Sequence, residues 1–135
     1  YGPYQFPEKL ISLFITNLFR GNKVPVYGSG NNISDWIHVD DHNRGIEMIV
    51  IKGNLGETYC LGGGNEMKNI DITKIILSNL GFGEEMIEFV EDRLGHDFRY
   101  AIDFSKAQKN IDWEPQINFE DGLKNTNDGY KKNTD

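Results

Sequence analysis

Two hydrophobic periods alternate along these 135 residues, and that alternation limits the fold more than any other feature of the sequence. Between Pro7 and Arg20, Leu10, Ile11, Phe14, Ile15 and Leu18 recur at helical spacing, with Pro7 and Glu8 suited to a first turn and Gly21 to a stop. Val24 to Tyr27 reads as a short strand. Asp40 or Asp41 is placed to cap a helix that carries Ile46, Ile49 and Val50 towards Lys52. Glu57 to Leu61 reads as a buried strand running into Gly62-Gly63-Gly64, and Ile87 to Val90 as another. Asn69 and Asp71 precede a helix with Ile72, Ile75, Ile76 and Leu80 on one side and Gly81 at its end. Helices are expected from Ser105 to Ile111 and from Phe119 to Tyr130, with a frayed polar tail. Helices alternating with short strands give an α/β or α+β class, in one domain or one part of a larger one.

The stretch "VYGSGNNISDWIHVDD", residues 26 to 41, offers Gly28 and Gly30 as if to let backbone approach an anion. A dinucleotide fingerprint needs a third glycine at G-x-G-x-x-G and an immediate helix, whereas Asn31, Asn32, Ile33 and Ser34 follow here. A phosphate loop needs Gly-Lys-Ser/Thr, which is also missing, and Trp36 to Val39 leans towards strand. From its residues alone this is a Gly/Asn turn between strands. The strands are too few, and none leads into a glycine fingerprint, so no complete dinucleotide-binding sheet can be assembled. A function needing such a cofactor requires a binding domain elsewhere.

A formal net charge of -7 and a pI near 4.9 argue against general attraction to nucleic acid or anionic membrane, so any anionic ligand must meet a local site. Cys60, the only cysteine, lies in Tyr59-Cys60-Leu61 and reads as a buried small hydrophobe. Without a signal peptide or an apolar run of membrane-spanning length, the expectation is a soluble, cytoplasmic protein. The chain opens at Tyr1 rather than Met, amid aromatics and prolines, and is expected to start at a cut end.

Two polar stretches are candidates for chemistry. His38 and His42 stand at i, i+4, but a zinc protease helix needs Glu after the first histidine and Val39 is there, so no metal site is expected. Asp40 and Asp41 suit helix capping better than acid/base work. In "EDRLGHDFRYAID", residues 91 to 103, Arg93, His96 and Arg99 surround Gly95. Guanidinium and imidazole groups there suit phosphate or carbonyl recognition; equally, this is a surface loop with Arg93 paired to Asp92 or Asp97.

The motifs "YGPYQFPEKLI", "PVYGSG....DW.HVDDH", "GETYCLGGGNEMKNID", "DR.GHD.RYAID" and "W.PQ.NFEDGL" span virtually the whole chain. In order and spacing they resemble the C-terminal half of the dTDP-glucose 4,6-dehydratase family of extended short-chain dehydrogenase/reductases. Within this resemblance, "YGP" and "DW.HVDD" are shared with sister sugar epimerases and decarboxylases; "YQFPEKLI" and "DR.GHD.RYAID" are typical of the dehydratases. It implies an α+β-like C-terminal part without a complete Rossmann sheet, with residues 1–135 as the nucleotide-sugar-binding portion and the NAD-binding Rossmann domain absent from the chain. Such enzymes use NAD to oxidise C4 of the glucose, eliminate water across C5 and C6, and return the hydride to C6. The resemblance implies dTDP-glucose or a related nucleotide sugar as ligand, with no NAD bound by this chain alone.

By the same resemblance, Lys9 and Leu10 match a substrate-binding pair, and Pro25, Val26 and Tyr27 line the thymine pocket. Asn69 matches a nucleotide-sugar contact, and Asp92, Arg93 and His96 belong to a loop closing over nucleotide and diphosphate. Ser34 stands where the family usually has an arginine reaching the diphosphate, Leu94 replaces a proline, and Phe98 an arginine. The family's NAD loop, Tyr-x-x-x-Lys pair and Thr-Asp-Glu elimination set lie before the point at which this chain begins, so no catalytic residue is expected in it. The Leu10/Phe14/Leu18 and Ile46/Val50 faces are expected to be exposed without the dinucleotide domain, favouring self-association. A stand-alone binding module and a fragment of a sister enzyme are the alternative readings.

Overall fold

The computed structural model describes residues 1–133. Along the chain lie α1 (Leu10–Phe19), β1 (Val24–Tyr27), β2 (Ile33–Asp35), α2 (Val39–Lys52), β3 (Glu66–Lys68), α3 (Asn69–Leu80), a short 3-10 turn, β4 (Ile87–Val90), β5 (Arg99–Tyr100), α4 (Ser105–Ile111) and α5 (Phe119–Lys132). The described strands form two small sheets. β1 and β4 pair in parallel with Val24 opposite Ile87, while β2 lies between antiparallel β3 and parallel β5. This is the mixed α/β arrangement expected, without a complete dinucleotide-binding sheet among the described residues. The frayed tail expected at the C-terminus extends over residues 134 and 135, outside the described ones.

The main core follows the helical spacing. Ile11, Phe14, Ile15 and Leu18 of α1 meet Val24 and Val26 of β1, Ile72, Ile76 and Leu77 of α3, and Phe119 and Leu123 of α5. α1 starts later than Pro7 because the preceding residues form a turn, to which Ser12 ties the helix by donating to the Phe6 and Lys9 carbonyls at 3.0 Å each. A second core, around Ala107, Ile111 and Trp113, receives Ile37, Met48, Ile49, Tyr59 and Leu61. Asp41 closes it: its buried carboxylate accepts from Arg44 at 2.8 Å, Gln116 N–H at 3.0 Å and Ile117 N–H at 2.8 Å, while Trp113 Nε1 donates to its carbonyl.

Several expectations need correction. Trp36 to His38 joins no ladder and Val39 begins α2; the strand is Ile33–Asp35, because β3 and β5 flank those residues instead. α2 is capped by His38, whose Nδ1 accepts from Asp40 N–H at 3.2 Å, since Val39 is already helical and His38 is the last extended residue. Glu57 to Leu61 forms no described strand. Tyr59 and Leu61 turn towards the second core, and Cys60 between them is exposed rather than buried. The Phe14 and Leu18 positions of α1 are buried within the chain, not exposed as expected, because α3, α5 and β1 cover them. The α2 face is open, with Val50 80% and Ile46 46% exposed.

Candidate functional site

A cleft of 580 Å³ opens between the N-terminal turn of α1, the end of β1, the middle of β2 and the loop after β4. Leu10, Leu13 and Phe14 of α1 and Pro25 and Val26 of β1 line it with apolar surface. Ser34 reaches it from β2, where its register partners are Met67 and Tyr100, and Tyr100 lines the cleft beside it. The first two turns of α3 contribute Asn69 and Thr73, and Lys9 stands at the rim, 3.3 Å from Glu8. Asp35, also at the cleft, accepts from the Gly63 and Asn65 N–H groups at 2.9 and 2.8 Å, bracing β2 against the segment before β3.

The loop after β4 supplies the remaining wall. Arg93 places its guanidinium 5.2 Å from the Tyr27 ring centre, and the His96 ring meets Tyr27 edge-on at 6.4 Å. Arg93 pairs with neither Asp92 nor Asp97 within ion-pair distance among the described residues; it rests on the aromatic face instead. Asp92 accepts from His96 Nδ1 at 2.6 Å and from Arg93 N–H at 2.8 Å. The His96 hydrogen bond, opposed by partial desolvation and aided by the Arg93 N–H, holds the Asp92 carboxyl below the ordinary carboxylate range.

Lys9, Leu10, Pro25, Val26, Tyr27, Ser34, Asn69, Arg93 and His96 thus line one cleft, and Asp92 lies outside its lining, behind His96. Arg99 is drawn away: its guanidinium makes a bidentate pair with Glu66, at 2.6 and 2.8 Å, across β2. His38 lies before the first turn of α2 and His42 on the helix, so the two histidines do not share a helical face. Leu94 and Phe98, the departures from the family pattern, are both exposed.

Trp36, Thr73 and Tyr100 line the cleft without having been singled out. Two-residue alternation from Ser34 points to Trp36, and helical spacing from Asn69 points to Thr73; Tyr100 needs the β2–β5 register. Trp36 Nε1 and Asn69 Oδ1 are buried with no hydrogen-bond partner, an orphaned donor and an orphaned acceptor among residues that line the cleft.

The glycines of the opening loop meet protein atoms rather than an anion. A Cβ on Gly30 would stand 2.7 Å from Val26 Cγ1, and one on Gly28 3.0 Å from Asp92 Oδ2.

The profile of the family described as GDP-mannose 4,6 dehydratase matches residues 1–126. A dTDP-glucose 4,6-dehydratase of Streptomyces niveus is 47% identical over 133 residues, covering 98% of this chain and 40% of that protein. Among solved structures, DesIV of Streptomyces venezuelae, a dTDP-glucose 4,6-dehydratase with NAD and TYD bound, superimposes with a TM-score of 0.96 at 47% identity, over 98% of this chain and 41% of that one. The UDP-glucose 4-epimerase of Thermotoga maritima, solved with UDP-glucose, gives a TM-score of 0.94 at 28% identity, over 100% of this chain and 44% of that one. The chain therefore spans about 40% of the length of the curated relative it matches. With the profile running through all of the elements that build the cleft, the chain belongs to the GDP-mannose 4,6 dehydratase family and is similar to dTDP-glucose 4,6-dehydratases along nearly its whole length.

Proposed function

We propose that this chain is the nucleotide-sugar-binding portion of a dTDP-glucose 4,6-dehydratase, which converts dTDP-glucose to dTDP-4-keto-6-deoxyglucose and water. The observation that carries this reading is the single cleft into which Lys9, Tyr27, Ser34, Asn69, Arg93 and His96 converge from five separate segments. Arg93 and Lys9 supply positive charge for a diphosphate, and His96 a further ring nitrogen. Pro25, Val26 and Tyr27 offer apolar and aromatic surface for a base. The orphaned Asn69 Oδ1 and Trp36 Nε1 need one donor and one acceptor, which a base or sugar provides after a small rearrangement.

In such an enzyme NAD would supply hydride-transfer chemistry. The residues of this chain do not fit that cofactor: Gly28 and Gly30 are packed by Asp92, Val26 and Ile70, and a Cβ at Gly63 would fall 2.0 Å from the Trp36 carbonyl oxygen. The chain's contribution in this reading is to bind and orient the nucleotide sugar for a dinucleotide-binding part outside residues 1–135. The exposed Ile46, Val50 and Ile51 face of α2 is then the surface such a part covers, or through which isolated copies associate. The compartment implied is the cytoplasm.

Calorimetric titration with dTDP, UDP and GDP tests the reading. dTDP should bind at least tenfold more tightly than the other two. Absence of binding refutes the proposal, and a preference for UDP favours a sister epimerase, towards which the likeness to the Thermotoga maritima structure points.

A further inference from the structure

We infer that Asp92 is a positioning residue: seated in the space that a side chain at position 28 would need, it holds His96 and the start of its own loop against Tyr27 and so fixes one wall of the cleft. The inference rests on the cleft being the nucleotide site, and it names how one wall of that site is held.

Three contacts carry it. Asp92 lies outside the cleft lining, whereas Arg93 and His96 line it. Its Oδ1 receives both His96 Nδ1, at 2.6 Å, and the Arg93 N–H, at 2.8 Å, so one oxygen ties together the two residues that do face the cleft. Its Oδ2 sits 3.0 Å from where a Gly28 Cβ would stand, and Gly28 has φ +55, a conformation that L residues rarely adopt. Gly28 is itself fixed, because its N–H donates to the Val90 carbonyl at 2.9 Å and continues the β1–β4 pairing. The loop is thereby docked on the rigid end of a sheet rather than held by its own turn alone.

The chemistry follows from the choice of ring nitrogen. A carboxylate only accepts, so the His96 Nδ1 proton points to Asp92, and Nε2 is the nitrogen left for a ligand. Loss of Asp92 frees the ring to adopt the other tautomer and frees the loop from β1, which separates Arg93 and His96 from Tyr27.

The test uses the full chain with dTDP as probe, together with nitrogen-15 spectra of the histidine rings. Asp92→Ala should weaken dTDP binding by about tenfold, the size of one lost hydrogen bond to a charged group, and should abolish the Nδ1-protonated signature of His96. Asp92→Asn keeps an acceptor oxygen and should restore most of the affinity and the signature. Gly28→Ala, which removes no polar group, should weaken binding comparably, and the double variant should be no weaker than either single one, because both act through one seat. Unchanged affinity in Asp92→Ala, or full addition of the Gly28 and Asp92 effects, overturns the inference. If the parent chain fails to bind dTDP, the proposed function falls, and the ring spectra decide the rest: a His96 signal altered by Gly28→Ala supports the docking and an unaltered one refutes it.

Discussion

Replacing Ser34 by arginine restores to the cleft a charged fork where a neutral hydroxyl now stands. Ser34 is half-buried on the middle strand of its sheet, between Met67 and Tyr100, so its side-chain direction is fixed by two ladders. The cations already present are partly committed: Lys9 lies 3.3 Å from Glu8 at the exposed rim, and Arg93 is stacked on Tyr27. A hydrogen bond to a charged group contributes about 1.5–3 kcal/mol, which converts to roughly 10- to 100-fold tighter binding of dTDP. Part of that gain is screened attraction and should shrink as the Debye length falls from about 10 Å at 0.1 M salt to about 3 Å at 1 M. Calorimetric titration of parent and Ser34→Arg chains at both salt concentrations measures it, with thymidine as a control that lacks the diphosphate. Unchanged dTDP affinity at low salt, or an equal gain for thymidine, would show that position 34 does not face the phosphates.

Asp41→Ala should destabilise the fold by about 3–5 kcal/mol, because it leaves the Arg44 charge and the Gln116 and Ile117 N–H groups without their partner; a loss below about 1 kcal/mol in urea unfolding would contradict this. Burial alone would raise the Asp41 carboxyl, but the hydrogen bonds from Arg44, Ile117 and Gln116, with the Arg44 charge, outweigh it and hold the group below its ordinary range. Its folded pKa is therefore lower than its unfolded one, so this stabilisation is complete above about pH 4–5 and is lost as pH falls through the folded value. Asp41→Asn should lose stability less steeply than the parent over that acid range. If the chain's part in the reaction is to bind the nucleotide sugar, as proposed, the chain alone supplied with dTDP-glucose and NAD should yield no 4-keto product; product above a contaminant control would overturn this. Val50→Glu should reduce self-association and apolar dye binding, and a parent chain that sediments as a monomer without binding dye would refute the role given to the α2 face.

The sequence by itself determined the elements whose signal is local. The spacing of Ile11, Phe14, Ile15 and Leu18 specifies a helix because one 3.6-residue stripe has to be covered, and Gly81 ends α3 in the left-handed conformation that its lack of a Cβ permits. Val24–Tyr27 and Ile87–Val90 are short, β-rich runs that were legible before their pairing was known. β3 and β5 were not legible, since Glu66–Lys68 has one apolar residue in three, too few to set a period, and Arg99–Tyr100 is only two residues long; β2 between them is what makes each a strand. The reverse holds for Glu57 to Leu61, whose composition favours a strand but whose backbone finds no ladder among the described residues. The resemblance named most of the cleft residues, yet it did not separate Asp92 from the lining, release Arg99 to Glu66, or bring in Trp36 and Tyr100. Those outcomes depend on segments up to 66 positions apart meeting in one register, as Ile33 and Arg99 do, and local periodicity carries no record of such meetings. The same reason explains Gly28: a turn signal in sequence becomes a seat for Asp92 only once β1 and β4 lie side by side.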